Sequence, residues 1–185
     1  MNHFCDIDDI TDLPGWLEKG KALARNPGAL GTPGQGKTLC LLFFNNSLRT
    51  RLSTQMAARR LGLEVIVMNF GSEGWQLEYE DGTVMDGGKA EHIREAARVV
   101  GTYADLIGVR AFAGLQDREA DYGEQVLRGF TRYSGVPLLN MESATGHPLQ
   151  ALADADTPAV HHLRCAGARC DCGRQWPRPR PGHGW

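Results

Sequence analysis

The sequence has little of what marks a membrane or secreted protein. No apolar run approaches the roughly 20 residues that a membrane-spanning helix needs, and the acidic first ten residues lack the basic start and apolar core of a secretion signal. Cysteine is scarce, with five in 185 residues, and Cys40 lies in an apolar run where a buried thiol is expected. We therefore expect a cytoplasmic protein of a reducing compartment. The apolar share of 42% suffices for one globular domain, alone or with a tail.

The composition changes near residue 157 and predicts a division of the chain. Residues 1–157 hold 15 lysines and arginines against 21 acidic residues, a net charge of −6, whereas residues 158–185 hold five against one, a net charge of +4. Residues 158–185 have no apolar periodicity and are dense in Arg, Pro, Gly and Cys. Because GC-rich codons read out of frame give these residue types, we expect this irregular tail to come from a frameshift or a faulty gene model.

Two other interpretations of the tail stay open. Its arginines are compatible with a nucleic-acid-binding segment, although no aromatic pattern or fold context accompanies them. Its histidines and cysteines are compatible with a zinc site, although structural zinc sites favour two to four residues between paired cysteines and this pair has one. We predict no metal site and no nucleic-acid partner. The candidate zinc ligands are His161, His162, Cys165, Cys170 and Cys172.

The stretch Lys37–Leu61 is the most informative part of residues 1–157. The apolar run Leu39–Phe44 predicts a strand buried on both faces. Leu52, Met56 and Leu61 then recur at roughly helical spacing, with two alanines on the same side, which predicts a helix with an apolar face. Ser47 is a favourable N-cap for that helix, and Arg49, Thr50 and Arg51 come directly after it. Cations destabilise a helix N-terminus unless an anion sits there. We therefore predict a site for a phosphate-like dianion at the carboxyl end of this strand.

Strand and helix patterns alternate along the rest of this region. The alternation predicts an α/β fold: a three-layer domain with a central, mostly parallel four-stranded sheet flanked by helices, and then the irregular tail. A long glycine-rich segment, residues 69–88, contains Trp75, which either packs on its own domain or is covered by something else. The other predicted strands are the short buried strand Glu64–Met68, Asp105–Val109 and Val136–Asn140. The other predicted helices are Ile10–Arg25, which Pro14-Gly15 is expected to interrupt, Ala90–Val100 and Tyr122–Tyr133.

Polar residues come after three of the predicted strands. The carboxyl ends of parallel strands meet at one edge of a sheet, so these residues are expected to share a cleft. The residues are Ser47, Arg49 and Thr50 after the first strand, Arg110 after the third, and Glu142, His147 and Gln150 after the fourth. Each also has a plainer interpretation; for example, Arg110 is then a surface arginine, and His147 caps the last helix.

A second phosphate-type pattern lies before the first strand. Residues 31–38, GTPGQGKT, match the G-x-x-x-x-G-K-[ST] sequence of nucleotide-binding P-loops. A P-loop needs a strand before it and a helix after it, whereas here a loop precedes the pattern and a strand comes after it. The match is therefore interpreted as accidental, with a nucleotide-binding protein as the alternative.

Several separated motifs now resemble one family. Ser47-Leu-Arg-Thr-Arg51 resembles the S-x-R-T-R signature of aspartate and ornithine carbamoyltransferases, His147-Pro-Leu-Gln150 resembles their H-P-x-Q motif, and Arg110 matches the arginine between them. Further similarity is to the N-acylornithine branch. The residues that carry it are Trp75, Thr83-Val-Met-Asp-Gly87, Glu91-His92 and Ile107-Gly-Val-Arg-Ala-Phe112. The resemblance covers about residues 3–157, and the family's second domain with its H-C-L-P motif is not found in this chain.

The resemblance implies carbamoyl transfer from carbamoyl phosphate to the δ-amino group of an N-acylated ornithine in arginine synthesis, without metal or cofactor. It implies that Ser47, Leu48, Arg49, Thr50 and Arg110 hold the phosphate. His147 and Gln150 would bind the carbamoyl end, with Arg49, Thr50 and His147 acting in catalysis. Glu142 would contact the acylated ornithine.

The resemblance also implies a homotrimer in which Trp75 reaches a neighbouring subunit's site. Ala90 stands where acetyl-specific members have glutamate and succinyl-specific members proline, so a longer acyl group is permitted. Two alternatives stay open: a non-catalytic, truncated anion-binding fragment, and an ornithine carbamoyltransferase that uses free ornithine.

Overall fold

The computed structural model describes residues 3–70, 76–79, 82–83 and 91–155. A 3₁₀ turn at Ile7–Asp9 precedes the first helix. The helices are α1 (Leu13–Arg25), α2 (Arg49–Arg60), α3 (Ile93–Tyr103), α4 (Arg118–Gly123), α5 (Gln125–Tyr133) and α6 (Pro148–Ala155). The strands are β1 (Thr38–Phe43), β2 (Glu64–Asn69), β3 (Leu77–Glu78), β4 (Glu91–His92), β5 (Leu106–Arg110) and β6 (Leu138–Glu142).

Four parallel strands form the main sheet in the order β2-β1-β5-β6. The central position of β1 explains its apolar run, because both faces of this strand are covered. Leu39, Leu41 and Phe43 face one apolar cluster, and Cys40 and Leu42 face the other. Burial raises the pKa of the Cys40 thiol to about 11, so this cysteine is an inert core residue.

Helices cover both faces of the sheet. On one face, α3 packs through the residues around Ala97 and α5 through Leu127 and Phe130. On the other face, α2 contributes Ala58, and Leu149 of α6 packs at the edge of the same cluster. The three-layer α/β domain with a four-stranded sheet is therefore confirmed.

The strand register places Arg110 and Glu142, two of the predicted site residues, side by side at the carboxyl edge of the sheet. Phe43 of β1 pairs with Arg110 of β5 at the carboxyl edge. Between β5 and β6 the register shifts after Val109, so that Arg110 pairs with Glu142 rather than with Met141. This bulge leaves Met141 in the core and places a carboxylate beside the arginine.

Three local predictions were wrong. Pro14 does not interrupt the first helix, because α1 begins at Leu13 and proline is tolerated in a first turn, where its missing N–H has no partner to lose. The predicted buried strand at residues 64–68 is an edge strand, and Ile66 remains 41% exposed. The single helix predicted over Tyr122–Tyr133 is two helices, broken at Glu124 by a left-handed backbone conformation (φ 43°, ψ 46°).

The apolar face predicted for α2 is buried only in part. Leu52 and Met56 are 60% and 50% exposed, and the small Ala58 is the residue of α2 that is buried. The long apolar side chains of Leu52 and Met56 therefore remain outside the core.

Candidate anion-binding site

A pocket of about 630 Å³ lies at the carboxyl edge of the sheet. It is bounded by the segments after β1, β5 and β6 and by the first turns of α2 and α6. Its lining residues are Asn46, Ser47, Leu48, Arg49, Thr50, Ser53, Thr54, Arg110, Glu142, His147, Leu149 and Gln150. The structure therefore brings eight of the nine predicted site residues together, and the ninth, Trp75, lies outside the described residues.

The first turn of α2 is open towards this pocket. The N-cap is Leu48 rather than the expected Ser47, and no side chain caps the helix. The first backbone N–H groups of a helix have no partners within the helix, so an uncapped N-terminus offers free donors with a positive partial charge. Ser47 and Thr50 add hydroxyl groups to the same wall. This arrangement suits a small anion.

The two arginines of the helix start point in different directions. The Arg49 side chain lines the pocket and makes no ion pair or hydrogen bond with another residue of the described ranges. Arg51 instead donates to the side chain of Asn69 at the end of β2, and its guanidinium lies 4.6 Å from the centre of the Phe43 ring. The expectation that both cations serve the helix mouth was therefore wrong for Arg51.

Arg110 is a buried arginine rather than a surface one, with 9% of its side chain exposed. Its Nη1 donates to the Asn46 carbonyl at 2.9 Å, and its Nη2 lies 3.1 Å from Glu142 Oε2. The guanidinium also stacks over the Phe112 ring, 3.9 Å from its centre. Asn45 reinforces this arrangement, since its Oδ1 accepts from the Phe112 backbone N–H at 2.6 Å. The contacts that hold the Arg110 guanidinium in place were not predicted from the sequence.

His147 is both a helix cap and a member of the pocket. Its Nδ1 accepts from the Gln150 backbone N–H at 3.3 Å at the start of α6. A neutral imidazole has one donor and one acceptor nitrogen, so Nε2 carries the proton. That nitrogen lies 3.7 Å from Glu142 Oε2. His147 therefore presents an N–H to the pocket, whereas the side chain of Gln150 donates along its own helix to Asp154 Oδ1 at 2.7 Å.

The sequence contained a signal for two further lining residues. Ser53 and Thr54 lie one helical turn after Arg49 and Thr50, and residues four apart share a helix face. Among the lining residues that the structure describes, Glu142 is the only acidic one, and it accompanies two arginines.

Other predicted features fall elsewhere. Residues 31–37 lie at the opposite, amino edge of β1, where a strand and not a helix comes after the glycine-rich turn.

Ala90 and the five candidate zinc ligands of the tail lie outside the described residues. Within the described ranges, no group of three or more His, Cys, Asp or Glu could hold a metal ion, and no helix is long and apolar enough to cross a membrane.

Comparison with known proteins agrees with this geometry. The family model for the aspartate/ornithine carbamoyltransferase carbamoyl-P binding domain matches residues 2–158. N-succinylornithine carbamoyltransferase of Bacteroides thetaiotaomicron is 44% identical over 182 residues, covering 98% of this chain and 56% of that protein. N-acetylornithine carbamoyltransferase of Xanthomonas campestris is 45% identical over 157 residues, covering 84% of this chain and 45% of that protein.

The solved structures give the same result. Acetylornithine transcarbamylase complexed with acetylcitrulline superposes with a TM-score of 0.78 at 41% identity, covering 91% of this chain and 49% of that one. The chain spans about half the length of the relatives it matches. The chain belongs to the aspartate/ornithine carbamoyltransferase family, and the part that matches is the carbamoyl-phosphate-binding domain.

Proposed function

We propose that this chain carries the carbamoyl-phosphate half of an N-acylornithine carbamoyltransferase site. The reaction moves a carbamoyl group from carbamoyl phosphate to the δ-amino group of an N-acylated ornithine, giving an N-acylcitrulline and phosphate in arginine synthesis. The observation that carries the proposal is the convergence of Arg49, the buried Arg110 and the His147 Nε2–H around the open N-terminus of α2.

The pocket chemistry suits the leaving phosphate. Arg110 is held by the Asn46 carbonyl, by Glu142 and by the Phe112 ring, so little side-chain freedom is lost when it binds an anion. Arg49 adds a second cation, and Ser47, Thr50 and the backbone N–H groups from Leu48 onward add neutral donors. Charge-assisted hydrogen bonds of this type are about twice as strong as neutral ones.

The same residues suit the transfer step. The neutral δ-amine attacks the carbamoyl carbon, negative charge develops on the carbamoyl oxygen, the bond from that carbon to the phosphate oxygen breaks, and the proton that the amine nitrogen loses passes to the departing phosphate. His147 donates its Nε2–H to that oxygen, together with Arg49 and Thr50, while Arg110 stabilises the departing phosphate. Gln150 binds the carbamoyl end from the rim of the pocket. Fixed donors of this kind lower the barrier by positioning and by electrostatic stabilisation.

The acceptor side of the proposal rests on Glu142, Trp75 and Ala90. Glu142 Oε2 lies 3.7 Å from His147 Nε2, and we assign Glu142 the contact with the acylated ornithine. Ala90 neither repels nor pairs with a succinyl carboxylate, so a succinyl group is permitted. In keeping with this, a glutamate-to-alanine variant of N-acetyl-L-ornithine transcarbamylase has been solved complexed with carbamyl phosphate and N-succinyl-L-norvaline. Relatives named for free ornithine are less similar, at 30% and 36% identity.

The partner side of the proposal is a cytoplasmic homotrimer in which Trp75 completes a neighbouring site. The apolar stripe of α2 supports self-association: Leu48, Leu52 and Met56 are 74%, 60% and 50% exposed and lie four residues apart on one helix face. Light scattering of the purified chain tests this, with Leu52→Glu expected to give the monomer mass.

The direct test is calorimetry of the 185-residue chain with carbamoyl phosphate. We expect one site per chain; an absence of binding at millimolar ligand would overturn the assignment. A citrulline-forming assay with N-acetyl- and N-succinyl-ornithine then decides between an enzyme and the second candidate, a non-catalytic anion-binding fragment.

A further inference from the structure

Glu124 combines an unfavourable backbone with a demanding side-chain environment. It is one of two non-glycine residues in the described ranges with positive φ, and it separates α4 from α5. Non-glycine residues are disfavoured in this left-handed conformation, which is retained only where the surroundings enforce it. The side chain supplies the reason, because one of its oxygens accepts three hydrogen bonds from a segment about twenty residues further along the chain.

All three bonds come from the turn that connects β6 to α6. Glu124 Oε1 accepts from the Ser143 hydroxyl at 2.6 Å, from the Thr145 backbone N–H at 3.0 Å and from the Thr145 hydroxyl at 2.8 Å. The turn is closed by Ser143 N–H donating to the Gly146 carbonyl at 2.8 Å. Asn140 Nδ2 donates to the Ser143 oxygen and to the Cys5 carbonyl, both at 3.0 Å, so the turn is also tied to the N-terminal segment.

This turn lies between two pocket residues, Glu142 at the end of β6 and His147 just before α6. Glu142 comes directly before it and His147 directly after it, and Glu142 Oε2 contacts both Arg110 and His147. A change in the turn therefore alters the separation of Glu142 from His147 and the direction of the imidazole. Displacements of about 1 Å at such groups have large effects on a site that works by positioning.

We infer that Glu124 is a positioning residue that fixes the direction of His147 in the pocket through the Ser143–Gly146 turn. Glu124 is not among the residues that line the pocket, and it acts on the anion site through its hydrogen bonds to the turn. Its relevance to carbamoyl transfer rests on the proposed function, whereas its effect on His147 does not. Glycine at this position would remove the strain of the positive φ angle. It would also remove the carboxylate that accepts the three hydrogen bonds, so the direction of His147 would still be lost.

The experiment tracks the His147 imidazole by proton–nitrogen NMR in the unliganded 185-residue chain, with His147→Gln for assignment. In Glu124→Gly we expect the single set of His147 signals to split or broaden while the β1 and β5 amide signals keep their positions. Glu124→Gln, which keeps a carbonyl acceptor, is expected to restore one set. Glu119→Gln, an exposed carboxylate on α4, is the matched control and leaves the signals unchanged.

Unchanged His147 signals in Glu124→Gly would overturn the inference, since a merely structural role lowers the unfolding temperature without moving them. If Glu124→Gly does not fold, Thr145→Val, which removes one of the three hydrogen bonds, decides in the same way by shifting or not shifting those signals. Titration with carbamoyl phosphate gives a second readout, with about tenfold weaker binding expected in Glu124→Gly. A wild-type chain that binds no carbamoyl phosphate counts against the proposed function and leaves the NMR comparison standing.

Discussion

Strand β1 has a phosphate-type sequence pattern at each of its two ends. At the amino end, Gly31–Thr38 matches a nucleotide-binding sequence, and at the carboxyl end Ser47–Arg51 matches a carbamoyl-phosphate signature. The carboxyl pattern opens a helix whose N-terminus faces a pocket, whereas the amino pattern folds into turns and then enters the strand itself.

A phosphate-binding motif therefore needs free donors that converge on one point as well as the right residue types. A dianion is bound by several N–H groups that converge on one point, and a helix N-terminus supplies them. At the amino end, the Lys37 backbone N–H donates to the Gly34 carbonyl and the Thr38 N–H to Asp105 Oδ2, so those donors are already used. The carboxyl end also receives Arg110 from the end of β5 and His147 from the segment between β6 and α6.

The largest expected effect comes from removing the buried cation at the carboxyl end. Arg110→Ala is predicted to weaken carbamoyl phosphate binding at least about 100-fold, because truncating one partner of a buried hydrogen-bonded charge pair costs about 2–5 kcal/mol. Lys37→Ala, the matched change at the amino end, is expected to leave the dissociation constant within about twofold. Calorimetry measures both, and equal losses in the two variants would break the comparison.

A comparable loss is expected in turnover for Arg49. In a chimera that joins residues 1–157 to the second half of the Bacteroides relative, Arg49→Ala is predicted to lower turnover by at least about 10²-fold, the usual cost of one oxyanion donor. Arg59→Ala, at the far end of the same helix, is the control. Near-normal citrulline formation by Arg49→Ala would refute the catalytic role of Arg49.

A smaller contrast concerns ligand choice. ATP is expected to bind at least about tenfold more weakly than carbamoyl phosphate, because the amino-edge donors are already hydrogen-bonded and a lone lysine on a turn contributes about 1 kcal/mol or less. Competition calorimetry compares the two ligands. Tight ATP binding that disappears in Lys37→Ala would restore the nucleotide interpretation of residues 31–38.

The smallest expected effect is on the free energy of unfolding, for a change at the amino end of β1. Asp105→Ala removes the acceptor of the Thr38 N–H and is predicted to cost about 1 kcal/mol of unfolding free energy. For a chain of this size that corresponds to about 2–4 °C in the unfolding temperature. Carbamoyl phosphate affinity is expected to stay unchanged. A loss of affinity here would show that the two edges of the sheet are coupled.

Most of the fold could be predicted because its signals are local. The apolar run of β1, the strand–helix alternation and the apolar face of α3 each arise from residues close in sequence. The exposure of Ile66 on an edge strand could not be predicted, because strand order depends on contacts distant in sequence. The break at Glu124 was missed for the same reason, since its partners are Ser143 and Thr145.

The membership of the candidate site could be predicted better than its geometry. Residues such as Arg49, Arg110 and His147 lie at or beyond the ends of strands, and parallel strands bring their carboxyl ends to one edge. The opposite directions of Arg49 and Arg51 were not visible in the sequence, because Asn69 and Phe43 draw Arg51 towards β2.

The set of residues at the carboxyl edge could be predicted from the sequence, since apolar periodicity specifies the strands and the chain order specifies the polar residues next to the end of each strand. How those residues are held depends on the tertiary structure. The bulge after Val109 brings Glu142 level with Arg110, the uncapped start of α2 leaves its N–H groups open, and Glu124 braces the turn before His147. The bulge and the Glu124 contacts depend on hydrogen bonds between segments far apart in the chain, which local residue preferences do not encode.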